Sequence, residues 1–368
     1  MRYYFIAGEK SGDLHGSNLI KAIKQNDPGA ILRGIGGDLM EQEECNLFFH
    51  FSKINFFGFW EVFVNLNTVF KYLSATKKDI LEYKPDVIIL IDFSGYNMKI
   101  AKFAKDHSIK IFYYISPKVW AWNTGRAFNI KKLVDRMFVI LPFEVEFYKQ
   151  FDYKVDYVGN PIMDAIDNFV PNENFKVQNQ LDIRPIIALL PGSRPSEVSK
   201  LLPLMTDINK DFPTFQFIVA GVSSLPEDFY DLAKSKGLKV IYDQTYDLLK
   251  VAEAAIVASG TATLETGLFN VPQVVVYKVS GISYQIAKRL IKVRDIALVN
   301  LITDKVIVKT LLQDELTKFH LIEELGKVII GGVKRETILQ DYKDLATAIG
   351  LPGASYKAGS LMVNYLKE

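Results

Sequence analysis

Residues 186–190, Ile-Ile-Ala-Leu-Leu, are apolar without interruption and stop at Pro191-Gly192. A strand with no polar alternation is buried on both faces, as in a parallel sheet covered by helices; half-solvated antiparallel sheets do not offer this. Ser193, Arg194 and Pro195 follow, and a helix is expected to start at Ser196 and Glu197. A strand, a tight turn and a helix start bring free backbone N–H groups and the positive end of a helix dipole to one place, which suits an anion. Arg194 adds a permanent cation whose fork fits phosphate. The same residues also suit an ordinary strand-to-helix turn with a surface arginine, so the turn alone leaves both readings open.

The pattern recurs through the 368 residues, a length that holds two domains of ordinary size. Apolar runs at 3–7, 32–35, 87–91, 110–115, 137–141 and 156–158 predict strands, and 14–25 predicts a helix. Residues 170–184 are polar and read as a linker. Beyond them, 186–190, 216–220, 239–242, 254–258 and 273–276 predict five further strands, separated by helical stretches such as 199–211 and 227–235. The expected fold class is α/β: two Rossmann-like parallel-sheet domains, 1–170 and 185–335, with an interdomain cleft and a last helical stretch over 336–368.

Ligand turns are expected on both domains. Residues 8–13 follow the first strand, and Glu9, Ser11 and Gly12 resemble a ligand loop of a doubly wound sheet, although the spacing is not that of a dinucleotide fingerprint. Asp92 stands just past the 87–91 strand, where open sheets place ligands; it suits a general base on a hydroxyl and equally a helix N-cap. Asn97 follows in the same turn. Residues 116–122 hold two of the three tryptophans, including Trp120, and Arg126, Lys131 and Lys132 make the next helix basic. In the second domain Ser259, Gly260 and Thr261 offer donors to an anion. Glu265 suits either a sugar hydroxyl or the support of its own helix start.

Residues 56–73 are unusual. On a helix their apolar side chains cover roughly 240° of surface, more than a helix lying on a sheet needs. Phe56, Phe57, Phe59, Trp60, Phe63 and Phe70 are then buried on two sides or at a contact between copies, or they enter a membrane surface. The basic stretch 284–294 suits a diphosphate, an anionic lipid surface or plain solvation.

Composition removes several classes. A net charge of +2 gives no argument for nucleic acid, and the single Cys45 excludes an intrachain disulfide and fits a reducing compartment. No signal-peptide pattern and no apolar stretch of the ~18–20 residues a spanning helix needs are present, so a cytoplasmic protein is expected. The four His and one Cys show no zinc spacing, and neither a metal nor another cofactor is implied. A nucleotide-sugar donor on the second domain and an apolar hydroxyl acceptor on the first would use every part. Inverting transfer needs one base on the acceptor and cationic help for the departing diphosphate, roles that Asp92 and Arg194 fit.

Nine motifs then carry a resemblance that runs almost end to end. They are GEKSGD at 8–13, GIGGDLM at 34–40, FFGFWEV at 56–62, IDFSGYN at 91–97, YISPKVWAW at 114–122, LPFE at 141–144, LLPGSRPSEV at 189–198, SGTATLE at 259–265 and LVNL at 298–301. With them the chain resembles the lipid-A-disaccharide synthase family. The resemblance implies a GT-B fold, a UDP-2,3-diacylglucosamine donor, and 2,3-diacylglucosamine 1-phosphate (lipid X) as acceptor. It implies UDP and a β-1,6 disaccharide 1-phosphate as products. It also implies work at the cytoplasmic face of the inner membrane, which favours the lipid-surface reading of 56–73. Asp92 matches the family's essential aspartate, and Arg194, with Gly192 and Ser193, its PGSR turn. The 259–265 turn and Asn300 match nucleotide-side positions. The helices of 336–368 are expected to cross back to the first domain, and homodimers are expected to be possible. The chain departs from the family at Ser94-Gly95-Tyr96, at Asn123, which leaves Arg126 as the nearest cation, and at Asn160 in place of a histidine. Another GT-B enzyme acting on a UDP-GlcNAc-type donor, an epimerase or a peptidoglycan glycosyltransferase, would share the sheets and donor turns but not need the aromatic helix.

Overall fold

The computed structural model describes residues 1–54, 66–279 and 295–368, with the backbone alone at 66 and 122. It divides into two compact units, residues 1–167 with 351–368, and residues 168–350.

The first unit is built on a parallel sheet of seven strands: β1 Arg2–Ala7, β2 Ile31–Gly36, β3 Asn46–His50, β4 Val87–Ile91, β5 Lys110–Tyr114, β6 Arg136–Val139 and β7 Asp156–Tyr157. Their order is β3-β2-β1-β4-β5-β6-β7, so the winding reverses between β1 and β4. The continuous apolar runs have the expected cause. Val87, Ile89 and Ile91 face one core with Phe5, Leu19 and Ile23, while Ile88 and Leu90 face another with Ile6, Ile100 and Tyr113. β3 was not expected. It is an edge strand, half-exposed, and its Asn-Leu-Phe-Phe-His sequence needs no unbroken apolar run.

The first helix, Lys10–Asn26, starts four residues before the expected position, so Lys10 to Asp13 form its first turn rather than a loop. Asp13 is buried there and caps the short helix Asp38–Gln42: its Oδ1 accepts from Gly37 N at 2.7 Å and Met40 N at 3.1 Å, its Oδ2 from Leu39 N at 3.1 Å. The last helix, Ala354–Lys367, lies on this first helix, close enough that a Cβ on Gly359 would stand 2.7 Å from that of Ala22. Its Met362 and Val363 are wholly buried, each contributing about 1.5–3 kcal/mol. Asp164 clasps its start, with Oδ1 accepting from Gly353 N and Ala354 N and Oδ2 from Ser355 N at 3.0 Å.

The second unit carries six parallel strands: β8 Ile186–Leu190, β9 Gln216–Gly221, β10 Lys239–Tyr242, β11 Ala252–Ala258, β12 Gln273–Tyr277 and β13 Thr310–Leu312. The order is β10-β9-β8-β11-β12-β13, again reversing beside the strand that comes first in the sequence of the unit, β8. β13, an edge strand of three residues, was not expected either. The stretch read as a linker contains the helix Phe175–Gln178, whose Phe175 is buried with Ile186, Ala188 and Leu248. The helix Arg335–Ile349 belongs to this unit and anchors there through Tyr342, which receives Gln273 Nε2 at 3.1 Å and donates to Val271 O at 3.3 Å.

Two carboxylates give testable stability terms. Replacing Asp164 with Ala leaves three N–H groups at the start of the last helix without their charged acceptor, at a cost on the order of 2–4 kcal/mol. A lower urea midpoint and faster proteolysis near residues 350–353 are expected; an unchanged midpoint would discount the clasp. Glu144 is 1% exposed, and burial pushes its carboxyl from the ordinary 4.5 up to about 7. Bonds from Leu141 N, Trp120 Nε1 and Ile140 N oppose that rise. The folded protein therefore keeps this proton between pH 4.5 and 7, where the unfolded chain has lost it. Stability attributable to Glu144 falls across that window as pH rises, by roughly 3 kcal/mol. Glu144→Gln removes the titration, so its urea midpoints at pH 5, 6, 7 and 8 should show a shallower fall than those of the unmodified protein.

Candidate active site

In the first unit the site is laid out by the paired ends of β1 and β4, where Ala7 stands opposite Ile91. Past Ile91 the chain turns through Asp92 and Phe93, both in the left-handed region at φ +43°. Non-glycine residues hold such a conformation at a cost of about 1–3 kcal/mol each, and only where their surroundings fix it. Here Asp92 N donates to Tyr114 O at 3.2 Å, and Asp92 O accepts from Asn97 Nδ2 at 2.8 Å and from the Tyr113 hydroxyl. Burial and the Asp92 charge push the Tyr113 hydroxyl well above its usual value, which keeps it a donor. Asn97 is completely buried and also reaches Ile91 O at 3.2 Å, so it braces the turn from within.

The turn at the end of β1 fits under this one. A Cβ on Gly8 would lie 2.2 Å from the Phe93 ring, so only glycine leaves room. Glu9 is the extended residue ahead of the first helix, and its Oε1 accepts from Ser11 Oγ at 3.1 Å. Gly12 is buried against Ala7. The structure thus brings Glu9, Ser11, Gly12, Asp92 and Asn97 to one edge of one sheet.

β5 is followed by a third strained residue, the β-branched Ile115 at φ +66°. Trp120, expected in a cleft, faces inward: it is 7% exposed, donates to Glu144 Oε1 at 3.1 Å and meets the Phe143 ring edge-on at 4.9 Å. Arg126 is half-buried at the start of the helix Arg126–Leu133 and lines a cleft of about 690 Å³ with Ser94, Pro117 and Val119.

In the second unit Gly192 has φ +101°, a conformation that favours glycine, and it lies close under the Glu197 side chain. Ser193 is exposed, and Arg194 caps the helix Pro195–Thr206 with Pro195 in its first position. The Arg194 side chain is 61% exposed and 3.6 Å from Glu197 Oε1, a loose pair that leaves the guanidinium available to an anion.

The other residues expected on the donor side are fastened into a network. Ser259 Oγ donates to Ile296 O at 2.9 Å, and beyond Gly260 the exposed Thr261 opens the helix Thr261–Leu268. Glu265 accepts from the Tyr246 hydroxyl at 2.8 Å; burial raises its carboxyl and that bond pulls it back. Asn300 is buried with its amide fully used. Nδ2 donates to Asp295 Oδ2 at 2.7 Å and Val308 O at 2.9 Å, and Oδ1 accepts from Ile307 N at 2.9 Å and Val308 N at 3.0 Å. It shapes the turn rather than presenting its amide. Sequence reading missed Asp13, Tyr113, Tyr246 and Asp295. Tyr246 and Glu265, for example, meet across two elements, and no local spacing reveals that.

Phe56, Phe57, Phe59, Trp60 and Phe63, and the basic stretch 284–294, lie outside the described residues. Phe70 sits on the helix Leu66–Tyr83, 51% exposed, with Lys99 Nζ 4.5 Å from its ring centre.

A family model described as Lipid-A-disaccharide synthetase matches residues 3–361. The lipid-A-disaccharide synthase of Trichlorobacter lovleyi is 34% identical over 100% of this chain and 98% of its own length, and that of Syntrophus aciditrophicus 36% identical over 99% and 97%. Among solved structures, UDP-GlcNAc 2-epimerase from Neisseria meningitidis bound to UDP-GlcNAc aligns over 100% of both chains with a TM-score of 0.68 at 13% identity. The glycotransferase of kitacinnamycin aligns over 99% of this chain and 98% of its own with 0.64 at 11%. At these identities the two structures share the fold, a pair of parallel α/β sheets. The sequence match is of another order: it spans the whole length of both partners, and on it the chain belongs to the lipid-A-disaccharide synthase family.

Proposed function

We propose that Asp92 is the general base, and the 191–194 turn the leaving-group site, of the glycosyl transfer this family performs in lipid A biosynthesis. The observation that carries the reading is the braced left-handed turn that sets Asp92 at the end of β4, at the reversal of the sheet. Strain of this kind persists where a side chain must be held at one angle. The substrates are UDP-2,3-diacylglucosamine and 2,3-diacylglucosamine 1-phosphate. The acceptor hydroxyl oxygen forms the new bond to the anomeric carbon of the donor while the bond from that carbon to the diphosphate breaks. The hydroxyl proton passes to Asp92. The pair left on the diphosphate oxygen is stabilised by N–H groups of the turn and by Arg194. Ser259, Gly260, Thr261 and Glu265 serve the nucleotide sugar. The epimerase alternative rests on shared fold alone, whereas the sequence relationship supports transfer.

Both substrates are acylated, so the protein must meet a lipid surface. Among the described residues no helix is long and apolar enough to cross a membrane. Interfacial insertion of the 56–73 aromatics, with exposed Phe70 and the neighbouring Lys99, supports a peripheral attachment to the inner membrane.

Incubation with both substrates in detergent micelles should give UDP and disaccharide in equal amounts by mass spectrometry; UDP without disaccharide would sink the acceptor assignment. Asp92→Asn should lower kcat by about 10²–10⁴-fold while UDP binding survives. Undiminished turnover would remove Asp92 from the role of base. Phe59→Ser with Trp60→Ser should reduce flotation with anionic vesicles, and equal flotation would discount the interfacial reading.

A further inference from the structure

The cleft in the first unit runs between the helices Ser94–Asp106 and Arg126–Leu133. Its floor is apolar, formed by Met98, Val119 and Ile130 among others, and Lys102, Arg126 and Lys132 stand on its walls. Lys105 also lines it but is matched by Asp135 at 2.8 Å, and Asp106 is the one carboxylate in the lining. Among the described residues Lys102 and Lys132 form no ion pair. Two lysines outside any ion pair, beside an apolar floor, suit an amphiphile with a compact anionic group. One end of the cleft is Ser94, two residues from Asp92.

Resting on the function proposed above, we propose that this cleft is the acceptor subsite, in which Lys102, Lys132 and Arg126 hold the acceptor's phosphomonoester. The apolar floor lies under the acylated body of the same molecule, and the reacting hydroxyl extends toward Asp92. The donor's diphosphate has its cation in the second unit, at Arg194; the acceptor's phosphate needs its own, and these residues supply it. The site therefore distinguishes a phosphorylated acceptor from the same glycolipid without its phosphate.

The test compares the two acceptors, phosphorylated and dephosphorylated, in neutral detergent micelles, where no anionic surface competes. Lys102 and Lys132 are exposed, so Lys102→Ala with Lys132→Ala should fold normally. The double variant should lose about tenfold or more in kcat/KM for the phosphorylated acceptor, chiefly through KM, with donor KM and the dephosphorylated acceptor changed less than about twofold. Arginine at both positions should restore most of the preference. Equal losses on both acceptors, or no loss, would overturn the subsite. So would weaker binding to phosphatidylglycerol vesicles with the acceptor preference intact, which would assign the lysines to the membrane surface. Calorimetric titration of the unmodified protein with each acceptor separates this proposal from the transfer reading. Phosphate-dependent binding without disaccharide would support the subsite and overturn the transfer; binding indifferent to the phosphate would overturn the subsite even where disaccharide forms.

Discussion

The backbone carbonyl of Asp92 receives two buried donors, the Asn97 amide and the Tyr113 hydroxyl, and the first unit's site depends on that pairing. Without it, two successive non-glycine residues would have no reason to stay left-handed. With it, the Asp92 side chain is fixed at the end of β4 and the Phe93 ring is driven down onto Gly8. One set of hydrogen bonds thus sets the carboxylate, the glycine turn at the end of β1, and the start of the helix that walls the cationic cleft. The donors sit on β5 and on the helix Ser94–Asp106 that follows the turn, and both are buried, so the turn is held by the core.

The second unit uses a different device for a similar end. Its 191–194 turn is left open: Gly192 has a backbone conformation that side chains rarely adopt, and Arg194 is tethered only loosely by Glu197. Rigidity is supplied next door, where Asp295 and Asn300 fix the 295–308 segment and Ser259 is tied to Ile296. A polyanionic ligand brings its own charge and geometry, so the protein needs preorganised N–H groups more than a locked cation.

The central strands were legible because burial on both faces leaves an unbroken apolar run, as in Val87–Ile91 and Ile186–Leu190. The edge strands β3 and β13 were not, since a strand with one covered face or only three residues writes no such run. The turns at the strand ends were legible from small residues and lone charges. The groups that hold them were not: Tyr113 reads as a core aromatic, Asp13 as a loop acid, and Trp120 as a cleft residue, whereas its indole N–H is spent on buried Glu144. Whether a polar group faces a ligand or a neighbour is decided by elements far apart in the chain.

The chain leaves the first unit at residue 167 and returns to it only at 351. In chain order the first sheet is therefore left with one face unfinished for a long stretch: Leu19, Ile23 and Ile89 pack with Ala358, Met362 and Val363, far along the chain. The second unit, contiguous in sequence, can complete its core first, although it is translated later. A chain cut before residue 354 would keep both sheets and every turn discussed above, yet expose an apolar flank on the first unit. The core of the first unit is thus discontinuous in sequence, and only a chain that carries 354–367 can cover that flank.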